Sequence, residues 1–168
     1  MKMLCCLLRK HKTENRVQKR RTGMDKKLLF IVNPRAGRTK SFAPLFDAVA
    51  CFSKAGYLVK VFLTEGRGDA TRAAAELGGA YDLVVCAGGD GTFNEVVSGL
   101  VHSGAKVPIG YIPAGSTNDF ANSLHLSKNI VQAARDIVLG NPVAFDIGSF
   151  NGRGFSYVAS FGAFSKAS

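Results

Sequence analysis

The chain has few cysteines, few acidic residues and no long hydrophobic run, and each scarcity excludes a class of protein. Its four cysteines, at positions 5, 6, 51 and 86, lack the spacing of a metal site and favour a reducing, cytoplasmic setting. No apolar run approaches the length needed to span a bilayer. The apolar residues 3–8 are too short for a secretory signal and precede the positive charges instead of following them.

Because acidic residues are scarce, the net charge is +10, and most of it lies at the amino terminus. Residues 1–27 hold ten of the 22 Lys and Arg but only two of the twelve acidic residues, so they carry +8 and the rest of the chain carries +2. Binding to nucleic acid needs clustered cations on a folded surface. The nearly neutral body therefore predicts no nucleic-acid partner.

Residues 1–26 form a basic leader that we predict to be disordered, because its charged and polar residues show no apolar period. Met24 directly precedes the first predicted strand and is an alternative initiator, with residues 1–23 as an upstream extension. A second interpretation makes Cys5 and Cys6 acylation sites that, together with the basic run, attach the protein peripherally to an anionic membrane. A solvated charge run is the simpler interpretation.

From residue 28 onward, apolar strand patterns alternate with helical patterns, which is typical of a parallel sheet with helical crossovers. We predict strands at 28–33, 57–63, 82–87 and 108–112, with helices between them and at 129–139. The predicted fold over residues 27–142 is therefore α/β, a doubly wound, mostly parallel sheet flanked by helices. Residues 143–168 change character: extended segments at 143–149 and 155–160 flank Asn151-Gly152, a hairpin signal.

The most informative segment is residues 88–95, Gly-Gly-Asp-Gly-Thr-Phe-Asn-Glu, which follows an apolar strand and opens a helix. Three glycines within four positions permit backbone conformations closed to other residues and close approach to a ligand, and the helix N-terminus offers N–H groups to an anion. Asp90 adds a carboxylate, which suits Mg²⁺ among phosphates. The segment indicates a phosphate-binding turn, although a plain strand-to-helix turn would use the same glycines.

Four polar or glycine-rich loops follow predicted strands, at residues 33–37, at Thr64, at 88–94 and at 113–119. In a doubly wound sheet the carboxyl ends of the strands share one edge, and ligands bind there at the switch in strand order. The convergence of the four loops predicts a nucleotide-sized cleft.

Three ordered motifs resemble the diacylglycerol kinase catalytic domain, in its bacterial lipid kinase branch. They are Asn33-Pro34-x-x-Gly37, Gly88-Gly89-Asp90-Gly91-Thr92 with Asn94 and Glu95, and Pro113-x-Gly115-Ser116-x-Asn118-Asp119-Phe120-Ala121. The second motif alone is shared with NAD kinases and phosphofructokinases, whereas the other two select the lipid kinase branch. The resemblance runs from about residue 27 to the C-terminus and covers only the N-terminal, nucleotide-binding part of that family.

The resemblance implies a kinase that uses ATP and Mg²⁺ and transfers the γ-phosphoryl group to a diacylglycerol-like lipid hydroxyl at a membrane surface. It implies nucleotide contacts from Asn33, Pro34, Arg35, Ala36, Gly37, Thr64, Gly88, Gly89, Asp90, Gly91, Thr92, Phe93, Asn94, Glu95, Ser116 and Thr117. Asp90 is the candidate catalytic and magnesium-associated residue. Glu95 has two open roles, a contact in this site or a favourable charge at the helix N-terminus.

Family members are longer and add a mainly β domain that supplies the lipid pocket and the proposed general base. We therefore expect residues 143–168 to begin a truncated second domain, and the general base to be missing. A homodimer is compatible with this interpretation. The alternatives are a sphingoid-base or NAD kinase relative, a catalytically inactive fragment that binds nucleotide, and a membrane-tethered binding module.

Overall fold

The computed structural model describes residues 2–5, 26–37, 43–146, 148–150 and 153–155. Its strands are β1 (Lys2–Cys5), β2 (Lys26–Val32), β3 (Tyr57–Leu63), β4 (Leu83–Gly88), β5 (Ile109–Pro113), β6 (Val143–Asp146), β7 (Gly148–Phe150) and β8 (Arg153–Phe155). Its helices are α1 (Ala43–Lys54), α2 (Asp69–Leu77), α3 (Asp90–Ser103), α4 (Asp119–Ser123) and α5 (Ile130–Leu139), and a 3-10 turn follows α2 at Gly78–Ala80.

The first six strands form one sheet with the order β3-β2-β4-β5-β1-β6. Strands β3, β2, β4 and β5 are parallel neighbours, β1 lies parallel to β5, and β6 runs antiparallel to β1. The chain moves outward from β2 to β3 and then returns past β2 to β4, so the strand order switches between β2 and β4. The mostly parallel, helix-flanked α/β sheet confirms the predicted fold class.

Both faces of the sheet are covered, which explains why its central strands are apolar throughout. All six residues of β4 are buried. Helices α2 and α3 pack on one face, with strand residues such as Leu29 and Val84, while α1 and α5 pack on the other face, with Leu28 and Val85. Adjacent strand residues thus serve opposite layers, as the strand period of two requires.

Helices α2 and α3 approach each other closely at Gly99. A Cβ atom at this position would overlap the carbonyl oxygen of Thr71 and lie 2.9 Å from the Cβ atom of Ala74. Since one obstacle is backbone, it cannot rotate away, and only glycine fits without moving a helix. The contact fixes α3, which begins at the glycine turn, against α2, which follows the loop of Thr64.

Two boundaries differ from the sequence-based expectation. Residues Lys2–Cys5 belong to the leader that we predicted to be disordered, yet they form β1 between β5 and β6. Their short apolar run supplies a strand, and β6 pairs with it across four residue positions, from Lys2 opposite Asp146 to Cys5 opposite Val143. Strand β6, which we assigned to a second domain, therefore joins the main sheet. The remaining leader, residues 6–25, lies outside the described residues.

The predicted hairpin is present as β7 and β8, which pair antiparallel with Phe150 opposite Arg153. Residues 151 and 152, on which the sequence signal rests, lie outside the described residues. The strands are shorter than predicted, and residues 156–160 lie outside the described residues. Among the residues that the structure describes, no helix is long and apolar enough to cross a membrane.

Candidate nucleotide-binding site

The glycine turn lies at the switch in strand order, where β4 ends at Gly88 and α3 begins at Asp90. Gly89 is the N-cap residue of α3, and as a glycine it has no side chain that could cap the helix. A helix N-terminus carries unpaired backbone N–H groups and a partial positive charge. The turn therefore presents donors to an anion at the position where ligands of doubly wound sheets bind.

The glycines of the turn serve close approach and not unusual backbone angles, which corrects one expectation. Gly89 has φ −86° and ψ −179°. The described glycines with positive φ are Gly37, Gly56, Gly68 and Gly104, and none of them belongs to the turn. A Cβ atom on Gly88 would lie 2.7 Å from the Cβ atom of Thr92, so the turn closes onto its own helix. A Cβ atom on Gly91 would meet nothing within 4 Å among the described atoms, so this position is open to a ligand.

The carboxylate of Asp90 joins the glycine turn to the loop after β5. Its Oδ2 atom accepts a hydrogen bond from the backbone N–H of Asp119 at 2.8 Å. Its Oδ1 atom lies 3.3 Å from the hydroxyl of Tyr111, a residue of β5. Burial first, and the negative charge of Asp90 second, raise the pKa of Tyr111, so the hydroxyl keeps its proton and acts as a donor.

The loop after β5 is shaped by the buried side chain of Asn118. Its Oδ1 atom accepts from the N–H of Gly115 at 2.9 Å, and its Nδ2 group donates to the Gly115 carbonyl at 2.7 Å. Asn118 itself has φ +51°, a left-handed conformation that asparagine tolerates better than most residues. The Asn118 side chain thus satisfies both backbone polar groups of Gly115 within the turn. In this conformation Gly115 lies against Gly89.

The loop after β2 is joined to the same turn through Asn33. Its Nδ2 group donates to the Thr92 hydroxyl at 3.1 Å, and its Oδ1 atom accepts from the N–H of Arg35 at 2.9 Å. Gly37, with φ +69°, lies so close to the Ala114 carbonyl that any side chain would overlap it. Three of the predicted loops therefore contact one another, through Asn33 and Thr92, Gly37 and Ala114, Gly89 and Gly115, and Asp90 and Asp119.

Glu95 has a role that neither of our two expectations described. Its Oε1 atom accepts a hydrogen bond from the N–H of Gly68 at 3.0 Å, so it caps the N-terminus of α2 and not that of its own helix. Asp69 accepts from the N–H groups of Glu65 and Gly66, both at 2.9 Å, and these two bonds are the leading causes that lower its pKa. The loop that follows Thr64 is thus held by two carboxylates.

The remaining predicted positions divide by exposure. Arg35, Gly37, Ser116 and Thr117 are exposed at the carboxyl edge, and Pro34, Ala36 and Asn94 are partly buried there. Thr64 is buried at the end of β3, where its N–H donates to the Val32 carbonyl at 2.9 Å. Phe93 lies in the hydrophobic core, stacked on Tyr111 with ring centroids 4.6 Å apart, so its side chain is unavailable to a nucleotide.

A small pocket opens beside these loops on the face covered by α1 and α5. It is lined by Val32, Asn33, Pro34, Leu45, Ala87, Ala114 and Ile130. The lining is mainly apolar, and Asn33 supplies its polar side chain. The pocket and the glycine turn thus occupy the same edge of the sheet.

The donor set at Asp90 fits a magnesium ion that arrives with phosphates. Each carboxylate oxygen has two lone pairs, so the bonds from Tyr111 and Asp119 leave acceptor capacity on Asp90. Mg²⁺ is commonly held by one or two carboxylates together with substrate phosphates and water. Among the residues described, no cluster of three or more His, Cys, Asp or Glu could hold a metal ion.

The fold is an α/β domain with a glycine turn at the switch in strand order. The family model for the diacylglycerol kinase catalytic domain matches residues 27–150, which is most of the chain. The chain belongs to the diacylglycerol kinase catalytic domain family.

Three relatives illustrate how much of the family the chain spans. It is 40% identical to the diacylglycerol kinase of Staphylococcus epidermidis over 86% of its own length and 46% of the relative's, and 38% identical to that of Staphylococcus aureus over the same shares. It is similar to the crystal structure of a diacylglycerol kinase from Bacillus anthracis, with 33% identity and a TM-score of 0.69 over 77% of this chain and 45% of that one. The chain thus spans a little under half the length of these relatives.

Sequence reasoning missed Tyr111 as a contributor to the site. The segment 108–112 appeared simply as a short apolar strand, because tyrosine is as typical of strands as valine. The only signal was a hydroxyl in an otherwise apolar strand, two residues before the carboxyl end where the polar loops meet.

Proposed function

We propose that the chain is the nucleotide-binding part of an ATP-dependent diacylglycerol kinase, which transfers the γ-phosphoryl group to a diacylglycerol-like hydroxyl. The observation that carries this proposal is the meeting of three loops, after β2, β4 and β5, around the open N-terminus of α3 at the switch in strand order. The names of the relatives support the acceptor class, since they are diacylglycerol kinases.

In the proposed reaction the backbone N–H groups at the start of α3 bind the phosphates of ATP. Asp90 would help to hold a magnesium ion, and the ion would supply positive charge that offsets the charge of the transferred group. Asn33 and Gly37 order the loop after β2, and Ser116 and Thr117 offer hydroxyls from the loop after β5. The described residues supply positioning and charge, the main contributions in phosphoryl transfer, and we assign none of them as the general base.

A lipid acceptor lies in a membrane, so the proposed kinase would associate peripherally with the membrane surface. The reducing setting that the cysteines favour places it in the cytoplasm. We include both in the proposal, and we keep the homodimer as a proposal as well. The start of a second, lipid-binding domain at the C-terminal end of the chain is part of the same proposal.

The first test is nucleotide binding by isothermal titration with Mg-ATP. We expect saturable binding by the unaltered chain and clearly weaker binding by Asp90→Ala. Asp82→Ala is the control, because Asp82 lies at the opposite end of β4 and its carboxylate bonds only the Lys27 N–H among the described contacts, at 2.7 Å. Equal heats from the unaltered chain and Asp90→Ala would contradict the proposed role of the turn.

The second test is phosphoryl transfer from γ-labelled ATP to mixed lipid vesicles, with NAD as the acceptor in a parallel reaction. Label in diacylglycerol above a Gly89 variant control would support the kinase and its acceptor. Label in a sphingoid base or in NAD would show that the acceptor is not diacylglycerol. Binding of Mg-ATP without any transfer would show that the chain is an inactive fragment that binds nucleotide.

A further inference from the structure

The hydroxyl of Tyr111 lies beneath the glycine turn, in reach of three oxygen atoms. These are the Gly88 carbonyl at 3.3 Å, Asp90 Oδ1 at 3.3 Å and Asn118 Oδ1 at 3.5 Å. A hydroxyl donates one proton, so it can serve only one of the three at a time. The choice among them decides what the residue does.

Two of the three acceptors already have shorter backbone partners. The Gly88 carbonyl accepts from the N–H of Ala114 at 2.8 Å, and Asn118 Oδ1 accepts from the N–H of Gly115 at 2.9 Å. Asp90 is charged, and hydrogen bonds to ionised acceptors are about twice as strong as those between neutral groups. The proton of Tyr111 therefore belongs to Asp90 Oδ1.

With this bond, both oxygens of Asp90 are held from different elements. Tyr111 in β5 holds Oδ1, and the N–H of Asp119 at the start of α4 holds Oδ2. The tyrosine ring cannot shift easily, because it is buried and stacked against Phe93, which in turn stacks on Phe120 at 4.9 Å. The hydroxyl is thus a fixed donor on a rigid strand.

We propose that Tyr111 is a positioning residue, whose hydroxyl fixes the orientation of the Asp90 carboxylate and so holds the loop after β5 on the glycine turn. Its effect on nucleotide binding rests on the proposed function, whereas its effect on the loop does not. Tyr111 acts through Asp90 and is not placed in contact with the nucleotide.

The decisive variant is Tyr111→Phe, which removes one oxygen atom and keeps the aromatic stack. The control is Tyr81→Phe, because Tyr81 is partly buried against the same core cluster but lies before β4, away from the turn. In the nucleotide-free chain we expect the Asp119 amide proton of Tyr111→Phe to exchange with solvent about tenfold faster, as when one bond to a charged group is weakened. Exchange equal to that of Tyr81→Phe would overturn the proposal.

A second readout separates positioning of Asp90 from general loosening. Affinity for ATP is measured with Mg²⁺ and again with a chelator. We expect Tyr111→Phe to weaken Mg-ATP binding about tenfold and to leave metal-free ATP binding unchanged, because only the metal-bearing complex needs the oriented carboxylate. Equal losses in both conditions would overturn the link to Asp90.

The two proposals fail in different ways. If the unaltered chain binds no nucleotide, the proposed function fails, and the exchange of the Asp119 amide still decides the role of Tyr111. A double-mutant cycle with Asp90→Asn completes the test, because two groups joined by one bond give non-additive changes in that exchange. Strictly additive changes would contradict the assigned bond.

Discussion

Replacing Gly115 by alanine should disrupt the contact between the glycine turn and the loop after β5. A Cβ atom on Gly115 would lie 2.5 Å from the Cα atom of Gly89 and 2.7 Å from Asn118 Oδ1. Ordinary contact begins near 3.4 Å, so the two backbones must separate by about 0.9 Å. Because the first obstacle is backbone, no side-chain rotation can relieve it.

The cost can be worked out from these contacts. Overpacking of this kind costs about 1–3 kcal/mol. Moving Asn118 also weakens its two bonds to Gly115, which together cost about 1 kcal/mol, the net worth of one hydrogen bond. We therefore expect a loss of about 2–4 kcal/mol in the free energy of unfolding, which lowers the melting temperature of a chain of this size by about 5–15 °C.

The assay is thermal unfolding followed by circular dichroism, with Gly79→Ala as the matched control. A Cβ atom on Gly79 would meet only the Ala105 side chain, at an ordinary 3.7 Å, and Gly79 is absent from the described glycines with positive φ. We expect this control to melt within about 2 °C of the unaltered chain. If Gly115→Ala melted as high as Gly79→Ala, the close contact of the two loops would be wrong.

Three further predictions concern the residues around the site. Glu95→Gln should speed solvent exchange of the Gly68 amide in the nucleotide-free chain because the charged acceptor is lost, and unchanged exchange would contradict the cap on α2. Burial, and then the charge of Glu95, raise the pKa of the Cys86 thiol. Iodoacetamide at about pH 8 should therefore leave this thiol unmodified in the native chain and modify it in urea. Labelling of the thiol in the native chain would contradict its burial. Backbone hydrogen bonds lower the pKa of Asp69 below 3.8, so its stabilising effect is present above that pH and is lost as the pH falls through the lower value of the folded state. The melting temperatures of Asp69→Asn and the unaltered chain should therefore differ near neutral pH and converge in acid, and a difference that grew in acid would contradict the bonds to this carboxylate.

The glycine turn and the sheet could be predicted because their signals are local. The apolar run of β4 and the helical spacing after Phe93 each occupy one short window, and the order of strands and helices then implies the parallel sheet. The polar loops follow those strands directly, so their meeting at one edge followed from topology alone. The structure confirms the fold and the meeting of the loops after β2, β4 and β5.

The bonds that join the loops could not be predicted because they connect distant positions. Tyr111 reaches Asp90 across 21 positions and Gly68 reaches Glu95 across 27. No short window contains both partners of either bond, and the residue types alone allow several others. The same reason explains β1: its partner β6 lies at the other end of the chain, and local composition indicated only a charged leader.

The central claim is that the backbone at the start of α3 binds the phosphates of ATP. The most direct measurement is a titration of the isotope-labelled chain with Mg-ATP, followed by the chemical shifts of its backbone amides. We expect saturable shifts at Gly89, Gly91 and Thr92, and none at Lys27 or Asp82 on the opposite edge of the sheet. Saturable shifts elsewhere that left the amides of the glycine turn unmoved would contradict the claim.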